Sequence, residues 1–127
     1  VTEGSGRRKA RREALFVLYQ GDLLARDPIA PSDQGVAEGD YQVRLIDGVT
    51  RHVSDLDAEL TDHLEGWKLE RLAPLERNIL RIGLYEIRYE PDTPPAVAVA
   101  EAVALAKRYC SDEAGRLVNG VLGSFVA

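Results

Sequence analysis

The fold class predicted by this sequence is all-α: a compact domain of six or seven short helices. Three observations predict it. Apolar residues recur at three- and four-residue steps through most of the chain. No stretch shows the strict alternation of a half-buried strand. Prolines and glycines fall where helices begin and end. The 127 residues amount to one ordinary domain, with 45% apolar and 29% charged residues. We read residues 1–127 as a single unit, with residues 1–7 as a flexible N-terminal arm.

The first predicted helix runs from about Arg8 to Ala25. On a helical wheel Ala10, Ala14, Val17, Leu18, Gly21 and Ala25 form one small apolar stripe suited to close helix packing. The opposite side mixes Arg8, Lys9 and Arg12 with Phe16, Tyr19 and Leu23. Residues 26–40 contain two prolines and two glycines and no period, so they read as a loop, long for a compact domain. Leu45, Ile46, Val49, Val53, Leu56, Leu60, Leu64 and Trp67 then resume the helical step. Ser54 with Asp57 suggests an N-cap, which divides this stretch into helices at about 41–52 and 55–65, with Gly66 as a C-terminal cap. "KLERLAP" reads as a short helical turn, and Pro74 opens a helix to about residue 90. That helix is apolar on most sides, the mark of a central, buried element. "PDTPP" ends it. Residues 96–110 form the next helix, and Ser111 caps a last one from 112. Gly115, Gly120 and Gly123 in the last helix predict close approach to a neighbour.

The charge is unevenly placed. Residues 1–12 carry five cations and one acid, a net of +4, while the rest of the chain carries a net of −9. A basic arm on an acidic body is the asymmetry of a polyanion contact confined to one patch. Arginine-rich segments engage RNA phosphates and stack on unpaired bases. Adjacent aromatics supply stacking platforms. Tyr19 is one candidate, the other reading being a core residue with its hydroxyl tied off. Phe16 is either a second platform or packed under a neighbouring helix. No helix-turn-helix or basic-zipper pattern points to duplex DNA.

Signs of catalysis are few. His52, His63 and Cys110 stand apart in the chain, with no HExxH, paired CxxC or phosphate-cradling glycine loop. "DLDAELTD" at 55–62 lacks the glycine and the terminal glutamate of a calcium loop and reads as a solvated or partner-facing acidic face. We therefore expect no enzyme activity, no metal and no cofactor. A lone cysteine and no signal-peptide pattern fit a reducing cytoplasm. Glu86 falls among apolar wheel positions. A buried carboxylate needs a partner, so a cation or backbone amides of a neighbouring helix are expected.

Taken together, "RRKARREALFVLYQ", "LERNILRIGLYEIRY" and "AEAVALAKRYCSDEAGRLVNGVLGSF" resemble the NusB family of transcription antitermination factors. The resemblance spans about Arg7 to Val126 and is weak at 26–45. It implies two small helical bundles on a shared central helix. It implies binding of the boxA element of ribosomal RNA leader transcripts together with NusE, a small-subunit ribosomal protein. It further implies assembly into an RNA polymerase antitermination complex that suppresses termination in ribosomal RNA operons. Some members form homodimers that hide the RNA surface. The RNA-contacting positions carried over are Arg7, Arg8, Lys9, Arg11 and Arg12, then Tyr19, Glu76, Glu113, Arg116 and Leu117. Two departures stand out. Leu117 occupies a position that is often phenylalanine, so base stacking there is lost or flattened. Ala100 stands where Asn or Asp is usual, which removes an expected helix cap. Two other readings are a NusB-like targeting module of a ribosomal RNA cytosine methyltransferase, for which 127 residues leave no catalytic domain, and a helical protein-interaction module without RNA binding.

Overall fold

The computed structural model describes residues 2–24 and 40–126, with side chains from residue 6 onward. These residues form five α-helices and one 3₁₀ turn, with no strand among them. The helices are α1 (Thr2–Leu23), α2 (Tyr41–His63), α3 (Pro74–Tyr89), α4 (Pro95–Tyr109) and α5 (Asp112–Gly123), and the 3₁₀ turn is Leu69–Arg71. The loop expected at 26–40 lies, but for Asp40, outside the described residues. No described helix is long and apolar enough to cross a membrane.

α3 is the hub. It packs against α1 and α2 on one side and α4 and α5 on the other. Its sequence explains the position: Ile79, Leu80, Ile82 and Leu84 are all fully buried, so apolar groups leave it in several directions. Gly83 lets Leu122 of α5 press close, since a Cβ there would come within 2.4 Å of a Leu122 methyl. Gly48 does the same for α2, where a Cβ would meet the Tyr85 ring at 2.2 Å. Pro74 stands at the first turn of α3. Ala73 before it has no capping side chain, and Glu76 Oε1 reaches back to accept from the Ala73 amide at 3.3 Å. Ser111 caps α5 as expected, accepting from the Ala114 amide at 3.0 Å.

Four expectations need correction. The stretch read as two helices is one continuous α2. Val49, Leu56 and Leu60 keep a single buried face through the supposed break, and the exposed Ser54 does not interrupt the ladder. The helix stops at His63, and Gly66 follows in the turn with φ of 76°, the left-handed conformation glycine tolerates. Ala100 lies inside α4, whose N-terminus is set by Pro94 and Pro95, so no cap is missing there. Of the three α5 glycines only Gly115 is crowded, against Lys107. Gly120 and Gly123 face open space. The acidic face of α2 is not wholly solvated: Arg81 binds Asp57 through two 2.8 Å hydrogen bonds, and Arg88 pairs with Glu59 at 2.7 Å.

Candidate nucleic-acid interface

α1 begins at Thr2 and carries the cationic stretch as helix. Helical spacing then sorts its cations. Arg8 and Arg12 are four apart and share an outward face. Arg11 lies in register with Ala14, Leu15 and Leu18, which are buried against the core. Arg11 is only 4% exposed, so it departs from the role expected of it as an RNA contact. The signal was present in the sequence as a cation at a core-stripe position, three and four residues before Ala14 and Leu15.

Inside, Arg11 meets Glu86 of α3. Its Nε donates to both carboxylate oxygens at 2.9 and 3.0 Å, and Nη2 adds a third contact at 2.9 Å. Glu86 is 1% exposed and also accepts from the Tyr41 hydroxyl. The expected cation partner of Glu86 is thus Arg11. Burial, reinforced by the Glu86 charge, pushes the Tyr41 hydroxyl well above the ordinary tyrosine range. Burial alone would lower the Arg11 value, but the hydrogen bonds and charge of Glu86 outweigh it and raise it. Arg7 joins the rim of this junction. Its guanidinium lies 4.4 Å over the Tyr41 ring and donates to Thr93 Oγ1 at 2.8 Å.

Outside, α1 and α4 flank a groove of about 280 Å³ lined by Arg8, Arg12, Leu105, Arg108 and Tyr109, with the buried Arg11 reaching its wall beside Glu101. Arg8 reaches Glu101 at 3.1 Å, yet its side chain remains 71% exposed. Arg12 is exposed and makes no ion pair with a described residue. Lys9 is exposed beside Glu13 at 3.8 Å. Arg108 lies 5.5 Å over the Tyr109 ring, and Phe16, 40% exposed, meets Tyr109 edge-on at 5.0 Å. Phe16 is therefore not packed away under a neighbour. Sequence reasoning missed Arg108 and Tyr109 as site residues because it read the end of α4 only for its helix dipole. Tyr19 stands two turns beyond Arg12 on the same face, half-buried, with no hydrogen bond to a described residue. It lies outside the lining of the groove.

A second groove, of about 510 Å³, brings together Glu76, Glu113, Arg116 and Leu117 with Trp67. Those four predicted residues come from α3 and α5 and are gathered at one place. Tyr109, at the end of α4, lines the first groove, and Ser111, two residues on, lines the second. Cys110 sits between them, half-buried, its thiol pushed up by burial and by the Glu76 charge. The other groups with catalytic potential are elsewhere. His52 stacks on Tyr89 at 4.1 Å, and His63 stacks on Phe125 at 3.8 Å with its Nδ1 2.6 Å from Ser124 Oγ.

Comparison with known proteins identifies the family and the fold. The NusB family model matches residues 8–127. A transcription antitermination protein NusB of Nocardioides sp. is 42% identical, covering 96% of this chain and 94% of its own length. One of Lacticaseibacillus casei is 43% identical, covering 94% and 90%. Among solved structures, NusB in the crystal structure of antitermination factors NusB and NusE in complex with dsRNA superposes with a TM-score of 0.82. It is 31% identical and covers 96% of each chain. The solution structure of NusB from Aquifex aeolicus gives a TM-score of 0.74 at 33% identity, covering 93% of this chain and 85% of that one.

Proposed function

This chain belongs to the NusB family of transcription antitermination proteins, and on that footing we propose that it binds boxA-type RNA of ribosomal RNA leader transcripts through the two grooves. The observation that carries this reading is the open groove between α1 and α4, where Arg8, Arg12 and Arg108 stand with the half-buried Tyr109 ring, against which the exposed Phe16 packs edge-on. Cations there neutralise phosphates, and aromatic faces take unpaired bases. Arg8 and Arg12 are the principal phosphate contacts, with Arg7 and Lys9 at the edge. Arg11 acts from inside, holding α1 in the rotation that turns Arg8 and Arg12 outward. Glu76, Glu113, Arg116 and Leu117 extend the track, and Tyr19 prolongs the α1 face.

The chemistry invoked is binding, in the cytoplasm where nascent RNA is made, and no bond is made or broken. NusE is the expected protein partner, since a similar structure holds NusB, NusE and RNA together, and the complex would act on the transcribing RNA polymerase. A filter-binding assay with boxA-type single-stranded RNA against a scrambled strand, with and without NusE, tests the proposal. Binding of the boxA strand that tightens when NusE is added is expected. Equal retention of both strands removes the sequence-specific reading. NusE binding with no RNA retention would make the chain a protein-interaction module.

A further inference from the structure

The second groove contains an aromatic side chain that the site residues above do not explain. Trp67, in the turn between α2 and α3, is 56% exposed. An indole usually lies largely inside a protein, so one held this far out needs a reason. It lines the groove that holds Glu76, Arg116 and Leu117, and also an adjoining one lined by His63, Glu65 and Gly120. Arg116 lines both with it. The indole thus stands where the two depressions meet, next to the guanidinium best placed to hold a phosphate.

We propose that Trp67 is a stacking platform for an unpaired RNA base, supplying from the α2–α3 turn the aromatic surface that Leu117 does not supply from α5. This rests on the RNA-binding reading above and extends it by one nucleotide site. Three physical points support it. A π-face accepts any base, so the site needs no hydrogen-bond code. The flanking carboxylates of Glu65, Glu76 and Glu113 disfavour a phosphate over the indole and leave the neutral base as the suitable occupant. Arg116 offers a phosphate its countercharge beside the ring. Tyr109 lines the α1–α4 groove and Ser111, two residues on, lines this one, a short span for one strand to bridge.

Trp67 is the only tryptophan in the chain, so its emission reports this site alone. The full-length protein is titrated with unlabelled boxA-type single-stranded RNA while tryptophan emission is followed, and affinity is measured separately by filter binding. Saturable quenching at the RNA concentrations that give filter retention is expected. Trp67→Leu should weaken retention roughly five- to a hundredfold, the range for losing one stacked base, and Trp67→Phe should recover most of it. An unchanged thermal melt in both variants excludes a folding defect, as suits an exposed residue. Filter retention without quenching, with Trp67→Leu binding as tightly as the parent, overturns the platform and leaves the RNA-binding reading standing. Absence of retention for the parent protein overturns both.

Discussion

Arg11 and Arg12 are adjacent in the chain but serve two regions of the molecule, Arg11 touching the groove only through Glu101, 3.4 Å from its Nη1. Arg11 lies in a buried charge junction with Glu86, Tyr41 and Thr93. Arg12 lies in an open groove with Arg8, Arg108 and Tyr109. Both regions combine arginine with tyrosine, and α1 contributes to each. They differ in what solvates the charge. In the junction every cation has a carboxylate or hydroxyl of the protein itself. In the groove the cations outnumber Glu101, the one carboxylate in its lining, so charge remains for an external anion. Burial, not residue type, decides whether an arginine serves the fold or a ligand.

The largest way to break this comparison is to cut the junction. Arg11→Ala leaves the Glu86 carboxylate buried without its cation, and unfolding stability should fall by about 3–5 kcal/mol, read as a lower urea midpoint. A loss below about 1 kcal/mol would mean that Glu86 reaches water, and the two regions would not differ as described. Replacing both partners, Arg11→Met with Glu86→Leu, should recover most of the stability, because well-packed apolar groups often match a buried ion pair.

The groove should respond in the opposite sense. Arg8→Glu with Arg12→Glu should lower boxA-type RNA affinity by at least about a hundredfold, since each reversal replaces an attraction by a repulsion. Helicity by circular dichroism should be unchanged and stability should move by about 0.5 kcal/mol or less, as for exposed positions. RNA affinity that survives the double reversal would move the site away from α1.

A smaller effect concerns pH. Tyr85 donates to Glu90 at 3.0 Å next to the junction, and burial, with the Glu90 hydrogen bond, pushes its hydroxyl up to about 12. Its value in the unfolded chain is lower, about 10. The unfolded state therefore releases this proton first as pH rises. The contribution of Tyr85 is complete below the unfolded value and is lost between about pH 10 and 12, at up to about 1.4 kcal/mol per pH unit. Urea denaturation at pH 9, 10 and 11 should show the decline, and Tyr85→Phe should make it shallower, the remainder coming from Tyr41, whose hydroxyl is raised in the same direction. An equally steep decline in that variant would assign the loss to another group.

The smallest effect sharpens the groove's edge. Lys9→Ala should lower the slope of log affinity against log salt by about 0.7 if Lys9 touches one phosphate of a single strand. Its pair with Glu13 is exposed, so the same variant should leave stability within about 0.5 kcal/mol. An unchanged slope places Lys9 outside the track.

Much of this was legible before any coordinates. The central helix could be read from Leu75 to Ile87 because apolar side chains leave it on most sides. The Ser111 cap and the helix opened by Pro74 followed from residues whose local chemistry has few alternatives. α2 was misread because Ser54 and Asp57 mimic a cap. A local signal for a break competed with a continuous apolar stripe, and packing of that stripe prevailed. In the site, the outward face of α1 was visible in its mixed cations and aromatics. Arg108 and Tyr109 were not, since their segment speaks only of a helix end, and Trp67 continues the apolar step of α2 yet lies 56% exposed in the turn beyond His63.

Sequence alone determined the all-helical class, the uneven charge and the need of Glu86 for a partner, because these follow from periodicity, counting and the cost of burying a lone carboxylate. Tertiary structure decided which arginine met that carboxylate, which cations stayed in water, and which residues of α1 and α4, and of α3 and α5, line a common groove. Those outcomes depend on how helices distant in the chain are rotated against one another, and no local pattern encodes that rotation.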